Sequence, residues 1–483
     1  MLAPSQIVIF TRSWEVYFHL SLVREFQADF KDSKIIFVTF FSWARDIVTQ
    51  AGYDCVYLPD ALQAVDTATV SADLLKDVDR EIKQINGAGL RYLLQSERFL
   101  PSNERDIYEM MVRHVAVISK LVTERTLSIS SFCDHFVYWL AASLAMSRNG
   151  DHFAFVASGA PGNRVLAFKT PLMLWKGPKT DDPEQLLHEA TEKLSIPVKK
   201  RLDYMEPITL NTPFLRRLKL RLGEIRANEN DLKHKSYFAV PSYTLSRVML
   251  SKFVPFKWTR AAKLPVFDVN HVSEVRAARS IFVALHEEPE ATILCWSARL
   301  RDQVEFVRLL SQDSPVDTLI YVKDHPRMEG RRPPDFYHRL QGVPGVRLVN
   351  HAVSSIDLIK NTHLTASLNG TVTIESWLLN KPSLTAGNSP HKHFATYCLY
   401  DSGIAKLADF LYAQLSDAPP RLSEKDTAIW EDWIRSSFKA NSVPVYQADG
   451  CLQVDFSTEN AARHFNFIKA CLTQGVMAQR AMT

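Results

Sequence analysis

Nowhere in the 483 residues do two cysteines stand at CxxC spacing. Cys55, Cys133, Cys295, Cys398, Cys451 and Cys471 are scattered. That pattern argues against a zinc site and a disulfide scaffold, and fits reduced thiols in a cytosolic protein. No run of about 18 uncharged apolar residues occurs, so no membrane-spanning helix is expected. The opening Met-Leu-Ala-Pro-Ser-Gln has neither a charged n-region nor a cleavage site, so no signal peptide is expected. Charge of one sign is scarce too, 57 Lys and Arg against 53 Asp and Glu giving +4. A nucleic-acid partner would call for a strong basic patch. The mild excess suits a phosphorylated ligand or loose contact with anionic lipid.

What is present is ordinary for a globular protein: 46% hydrophobic and 23% charged residues. The order of elements is more telling. Apolar runs at Gln6–Phe10, Lys34–Phe41 and Cys55–Leu58 alternate with helical stretches, and strands are expected again at Leu127–Phe132 and Phe153–Ala157. After a poorly patterned stretch from Lys176 to about Lys263, alternation resumes. Strands are expected at Ile281–Leu285, Thr318–Val322, Val346–Val349, Leu364–Ser367 and Ser383–Thr385, with helices between them. This rhythm predicts an α/β protein with two Rossmann-like domains facing a cleft, followed by C-terminal helices. The expected bounds are 1–265, with a helical insertion, then 266–422 and 423–483.

Ligands of open parallel sheets gather at the carboxyl ends of the strands, so the residues just past those ends are the candidates. Lys323-Asp324-His325-Pro326-Arg327 offers cations on a stiffened turn, where His325 could donate to a phosphate oxygen; a plain strand end is the blander alternative. Asn369-Gly370-Thr371, with Glu375 beyond, places a pliant glycine and a hydroxyl at a helix start that favours an anion or simple capping. Glu288 and Glu290, in a loop that also reads as solvated, suit ribose or sugar hydroxyls. In the first half, Asp134 between Cys133 and His135 suits a general base or nucleophile, or a helix cap. Arg12, Ser13 and Glu15 follow the first strand and are candidates for acceptor contact with His135; helix capping by Ser13 is equally simple. The basic, leucine-rich run Phe214–Arg226 suits an anionic membrane surface or an exposed helix face.

Taken together, Tyr321–Arg327, Pro344–Val349, Asn369–Ser376 and Asn380–Ser383 resemble the capsule polysaccharide biosynthesis family, the convincing stretch running from about Arg279 to Gly387. Phe10–Glu15 is similar to the start of its surface-polysaccharide relatives. The resemblance implies the two-domain GT-B type of glycosyltransferase fold, shared with Kdo transferases and bacterial sialyltransferases. It implies that His325 and Pro326, with Gly370 and Thr371, hold the phosphate of a CMP-linked donor, with Glu375 facing that donor. The Glu-Asp-Gly-Phe-type motif of capsule Kdo transferases is absent, and Cys133-Asp134-His135 stands in its place by position alone. The implied activity is transfer of a sugar such as Kdo from a nucleotide-sugar to a bacterial surface polysaccharide or its lipid-linked precursor. The setting is cytoplasmic, with peripheral contact at the inner membrane, no metal and no cofactor besides the nucleotide-sugar co-substrate. A sugar-nucleotide epimerase or polyol-phosphate transferase on the same fold, and a non-catalytic glycan-assembly subunit, remain alternatives. Donor base, acceptor, stereochemistry and oligomeric state are not legible.

Overall fold

The computed structural model describes residues 4–11, 15–97, 103–131, 135–157, 164–179, 181–194, 265–275, 279–288, 290–328, 332–333, 335–420, 426–440, 445–446, 452–453 and 457–482. The described chain forms two compact units: residues up to Pro183 with those from Glu431 onward, and Glu184 through Trp430 between them.

In the first unit the strands are β1 (Gln6–Thr11), β2 (Lys34–Thr39), β3 (Asp54–Tyr57), β4 (Thr126–Ser131), β5 (Asp151–Ala157), β6 (Arg164–Thr170) and β7 (Met173–Leu174). The first five are parallel in the order β3-β2-β1-β4-β5, with Gln6 beside both Lys34 and Thr126. Ile7 through Phe10 are all fully buried, as expected of a parallel strand covered on both faces. The helix Phe136–Ser147 buries Phe136, Tyr138, Trp139 and Leu140 alike; a helix apolar all round belongs inside a domain. β6 then runs antiparallel to β5, a strand absent from the sequence expectation.

In the second unit the strands are β8 (Ser280–Ala284), β9 (Leu319–Lys323), β10 (Val346–Val349), β11 (Leu364–Ser367), β12 (Ser383–Thr385) and β13 (Tyr397–Cys398). All are parallel, in the order β10-β9-β8-β11-β12-β13. Numbered within the unit, this is 3-2-1-4-5-6, the Rossmann order, whose direction reverses between the first and fourth strands. Ile281, Val283, Ile320, Val322, Leu348 and Ala366 form its centre, with Phe306, Leu310 and Leu340 packed on them from helices.

The end of the chain returns to the first unit. A further strand, β14 (Ser437–Lys439), pairs antiparallel with β6. The buried Arg164 holds it, Nε donating to Ser437 Oγ at 2.8 Å and Nη2 to the Ser437 carbonyl at 2.8 Å. The helix Thr458–Met482 packs on Glu15–Asp29, where Phe465 meets Phe26 edge-on and Lys469 pairs with Asp29 at 2.8 Å. Both units are α/β sheets of Rossmann type, and C-terminal helices follow the second. Among the described residues, no helix is long and apolar enough to cross a membrane.

Candidate functional site

The reversal of strand order in the second unit falls between β8 and β11, and the carboxyl ends of those strands are joined directly. His286, two residues past β8, accepts a hydrogen bond at Nε2 from the backbone N–H of Asn369, 3.1 Å away and two residues past β11. Asn369 is buried and further fixed: its amide nitrogen donates to Ser297 Oγ, and its carbonyl is 2.9 Å from Nδ1 of His391. Burial pushes His391 down to about 4, so the ring is neutral at physiological pH and donates to that carbonyl. Gly370 donates its N–H to Ser367 Oγ at 3.0 Å. A Cβ there would lie 3.2 Å from Val372 Cγ1 and 3.3 Å from Ser367 Oγ, tight contacts that favour glycine, while the His286 ring, at 3.5 Å, would be in ordinary contact.

Thr371 stands exposed at the start of the helix Val372–Leu378, and its side chain makes no capping hydrogen bond. Ordinary capping therefore does not account for it. Glu375 lies one turn along this helix, half-buried.

The third loop follows β9. The Lys323 side chain turns inward: Nζ donates to the Val353 carbonyl at 2.6 Å and to Ser355 Oγ at 3.1 Å. Burial lowers this ammonium to about 8, with the Glu375 carboxylate pulling partly the other way. As placed, Lys323 ties β9 to the start of the helix Ser355–Asn361. His325 and Pro326 are half-buried, and Pro326 opens a short turn closed by Met328 N–H donating to the His325 carbonyl at 2.8 Å. Arg327 belongs to that turn by its backbone.

Glu288 and Glu290 sit on the β8 loop. Glu288 is not a bare carboxylate: Arg332 Nη1 donates to Oε2 at 2.8 Å, and Gln303 Nε2 to Oε1 at 2.6 Å. The repulsion that two acidic residues would exert on a phosphate is partly cancelled there. Glu290 Oε2 lies 3.5 Å from His286 Nδ1.

Asp324 occupies the position where dinucleotide-binding sheets carry an acidic residue that reads ribose, just past the second strand. Its carboxylate is engaged internally, by Arg332 and by the hydroxyl of Tyr337 at 2.8 Å. Sequence reasoning missed Arg332, Gln303, Ser297 and His391. Nothing in their spacing marks them, since each acts only through neighbours 8 to 72 positions away in the chain.

In the first unit the order again reverses between β1 and β4. Arg12 and Ser13, which follow β1, and Asp134 with Cys133, which follow β4, lie outside the described residues, as does the basic run 214–226. Of the other candidates, Glu15 opens the first helix and is buried. The His135 ring is wholly buried, 3.0 Å from Glu97 Oε1, while Glu97 Oε2 accepts the N–H of Phe136 at 3.3 Å and so caps the helix Phe136–Ser147. That placement ties the His135 ring to the carboxylate that caps the helix Phe136–Ser147.

Two Rossmann-type α/β units, the second with a closely tied set of strand-end loops at its order reversal, define the class. Among solved structures the chain is similar to KpsC of Thermosulfurimonas dismutans, a β-Kdo 2,7 transferase, at 10% identity and a TM-score of 0.31, over 96% of this chain and 98% of that one. It is similar to the UDP-GlcNAc 2-epimerase of Methanocaldococcus jannaschii, in complex with UDP-GlcNAc and UDP, at 11% identity and 0.26, over 89% and 97%. It is similar also to CalG4, the calicheamicin glycosyltransferase, at 12% and 0.21, over 98% and 99%. No family model and no curated protein matches the sequence. The fold assignment stands on the strand orders of the two sheets.

Proposed function

We propose that this protein is a glycosyltransferase that binds a nucleotide-sugar in its second unit and moves the sugar to a glycan or glycolipid acceptor. One observation carries the reading. The loops after β8, β9 and β11 meet at the order reversal of a Rossmann-type sheet, where such sheets bind nucleotides. His325, Gly370 and Thr371 supply a ring, a close backbone approach and an uncommitted capping position for the donor's phosphate, with Pro326, Arg327, Lys323 and Asn369 shaping the same loops. Glu288, Glu290 and Glu375 face hydroxyls of the donor.

The resemblance to the capsule polysaccharide family points to a CMP-linked sugar such as CMP-Kdo, and to a bacterial surface polysaccharide or its lipid-linked precursor at the inner face of the inner membrane. In the transfer, the bond from the anomeric carbon to the phosphate oxygen breaks and a bond to the acceptor oxygen forms. The acceptor's hydroxyl proton passes to a base, for which Asp134 is the candidate, and the nucleotide leaves with its negative charge stabilised by the phosphate loops. This chemistry uses the nucleotide-sugar as co-substrate, with no further cofactor.

The test is thermal stabilisation by a panel of CMP, CDP, UDP and GDP, followed by product analysis with the matching sugar conjugates. Stabilisation by CMP and transfer from CMP-Kdo support the reading in full. Stabilisation by UDP with an epimerised sugar as product replaces it with epimerisation on the same fold. Stabilisation by none of the four overturns it.

A further inference from the structure

We propose that Arg332 is the positioning residue of this site: it holds the loops after β8 and β9 in register, so that His325 and the His286–Asn369 pair face one ligand. The proposal rests on the nucleotide-binding reading above and extends it to a residue that does not touch the donor.

The guanidinium is almost completely buried and spends its donors on both loops. Nε lies 3.2 and 3.1 Å from Asp324 Oδ1 and Oδ2, and Nη2 lies 2.6 Å from Oδ1. Nη1 donates to Glu288 at 2.8 Å, and Nη2 reaches the His286 carbonyl. Its planar face lies over the Phe336 ring, 4.4 Å from guanidinium carbon to centroid. A planar, rigid fork is the group suited to bridging two carboxylates and a carbonyl at fixed angles.

Each anchored group fixes a site residue in turn. Asp324 Oδ1 accepts the N–H of His325 at 2.7 Å, so the attitude of the His325 backbone follows the carboxylate that Arg332 and Tyr337 pin. On the other loop, Gln303 completes the brace. It accepts the His286 N–H at 2.6 Å and donates to the His286 carbonyl at 3.2 Å and to Glu288 at 2.6 Å. His286 then receives Asn369. A continuous path of hydrogen bonds therefore runs from His325 through Asp324, Arg332 and His286 to Asn369, linking both phosphate loops.

Electrostatics sets the cost of disturbing it. One buried cation faces two carboxylates, and removing the cation alone strands Asp324 in the interior. Arg332→Met is therefore expected to fold poorly. Two other variants keep the proposal testable. Arg332→Lys keeps the charge and loses the fork; Asp324→Asn with Arg332→Met removes the buried pair and leaves only Glu288 charged, about a third exposed to water and still held by Gln303.

The experiment is calorimetric titration of CMP, UDP and GDP into wild type, Arg332→Lys and the double variant, each at a temperature well below its own unfolding midpoint. A misplaced hydrogen bond to a charged phosphate weakens binding by about tenfold or more, so a loss of about tenfold or more in nucleotide affinity is expected for both variants while they remain folded. A purely structural role predicts that the double variant regains wild-type affinity as it regains stability. Undiminished affinity in both folded variants overturns the proposal while leaving the nucleotide-binding reading standing. Wild type binding none of the three overturns the reading and the proposal with it.

Discussion

The backbone N–H of Asn369 donates to Nε2 of His286 across 3.1 Å, joining the loops on either side of the strand-order reversal. The bond requires a lone pair on Nε2, which puts the ring proton on Nδ1, facing the Glu290 carboxylate at 3.5 Å. His286→Phe keeps a flat ring in the same space and removes the acceptor. The Asn369 amide is buried, and an orphaned buried donor costs about 1–3 kcal/mol. The urea midpoint of the variant should fall accordingly, and any stabilisation by nucleotide should weaken. An unchanged midpoint would show that the amide finds another partner and that the junction is not held by this bond.

The loop after β12 permits no side chain at Gly387. A Cβ there would press on Asn369 Oδ1 and lie 2.7 Å from both Ser297 Oγ and the backbone oxygen of Trp296. A backbone oxygen cannot swing aside, and overpacking of this kind costs about 1–3 kcal/mol or more. Gly342→Ala is the control, because its Cβ would meet nothing closer than 3.5 Å. Gly387→Ala should lower the thermal midpoint by several degrees and displace Asn369. Gly342→Ala should be neutral or slightly stabilising. Equal midpoints for the two variants would refute the close packing at Gly387.

Buried neutral histidines set the acid limit of the fold. Burial lowers His152 and His19 to about 3 in the first unit, with His464 lowering His19 further, and lowers His391 to about 4 in the second. Their unfolded value is near 6.5, so between that pH and about 4 the unfolded chain binds protons that the folded chain refuses. The stability these histidines contribute is full above about pH 6.5 and falls as the pH drops through this window. Urea midpoints measured from pH 7.5 to 4.5 should decline steadily, and a His391→Gln variant should decline less. Parallel curves for the variant and wild type would show that His391 takes up its proton without unfolding.

The parts of this fold that were legible in the sequence share a physical cause. β10, β11 and β12 are short parallel strands, buried except for Arg347 and bounded by Gly, Asn or Pro turns, so they stand apart from the helical stretches, and the expected bounds at Val346–Val349, Leu364–Ser367 and Ser383–Thr385 match the observed ones. β6 was not legible. It opens on Arg164, whose charge is met by Asp181 and whose donors reach Ser437, 273 positions later. Pairing at that separation leaves no local pattern. The site divides the same way. His325 and Asn369-Gly370-Thr371 stood out because they follow strand ends. Arg332 did not, because an arginine beside prolines reads as surface, and its burial depends on two carboxylates brought to it by tertiary structure. Lys323 has the opposite history: a cation at a strand end reads as a phosphate ligand, yet its ammonium is committed to Val353 and Ser355.

His325 is half-buried and its ring is not part of the second unit's hydrophobic core, so His325→Ala should leave the far-ultraviolet circular dichroism and the unfolding midpoint close to wild type. Losing a group that stabilises a leaving phosphate should cost about a hundredfold or more in transfer rate. The comparison to make is the turnover number against the nucleotide affinity. A role at the leaving group lowers turnover more than affinity, whereas loss of donor contact in the ground state lowers affinity. Full turnover in the variant would remove His325 from the chemistry.

Lys323 gives the alkaline counterpart of the acid limit. Its ammonium falls from 10.5 to about 8 on folding, chiefly through burial. Below about pH 8 it is charged in both states, and the folded chain carries the cost of burying that charge. Between about pH 8 and 10.5 the unfolded chain retains a proton that the folded chain has released, so this residue makes stability rise with pH across that window. The full shift corresponds to about 3 kcal/mol. Lys323→Met removes the titration and also leaves the Val353 carbonyl without its donor, a penalty that does not vary with pH. Wild type should therefore gain on the variant as the pH rises from 7.5 to 10, whatever their offset at the start. A difference that stays constant over that range would mean that Lys323 keeps its proton throughout, stabilised by Glu375 and its oxygen partners more strongly than burial opposes it.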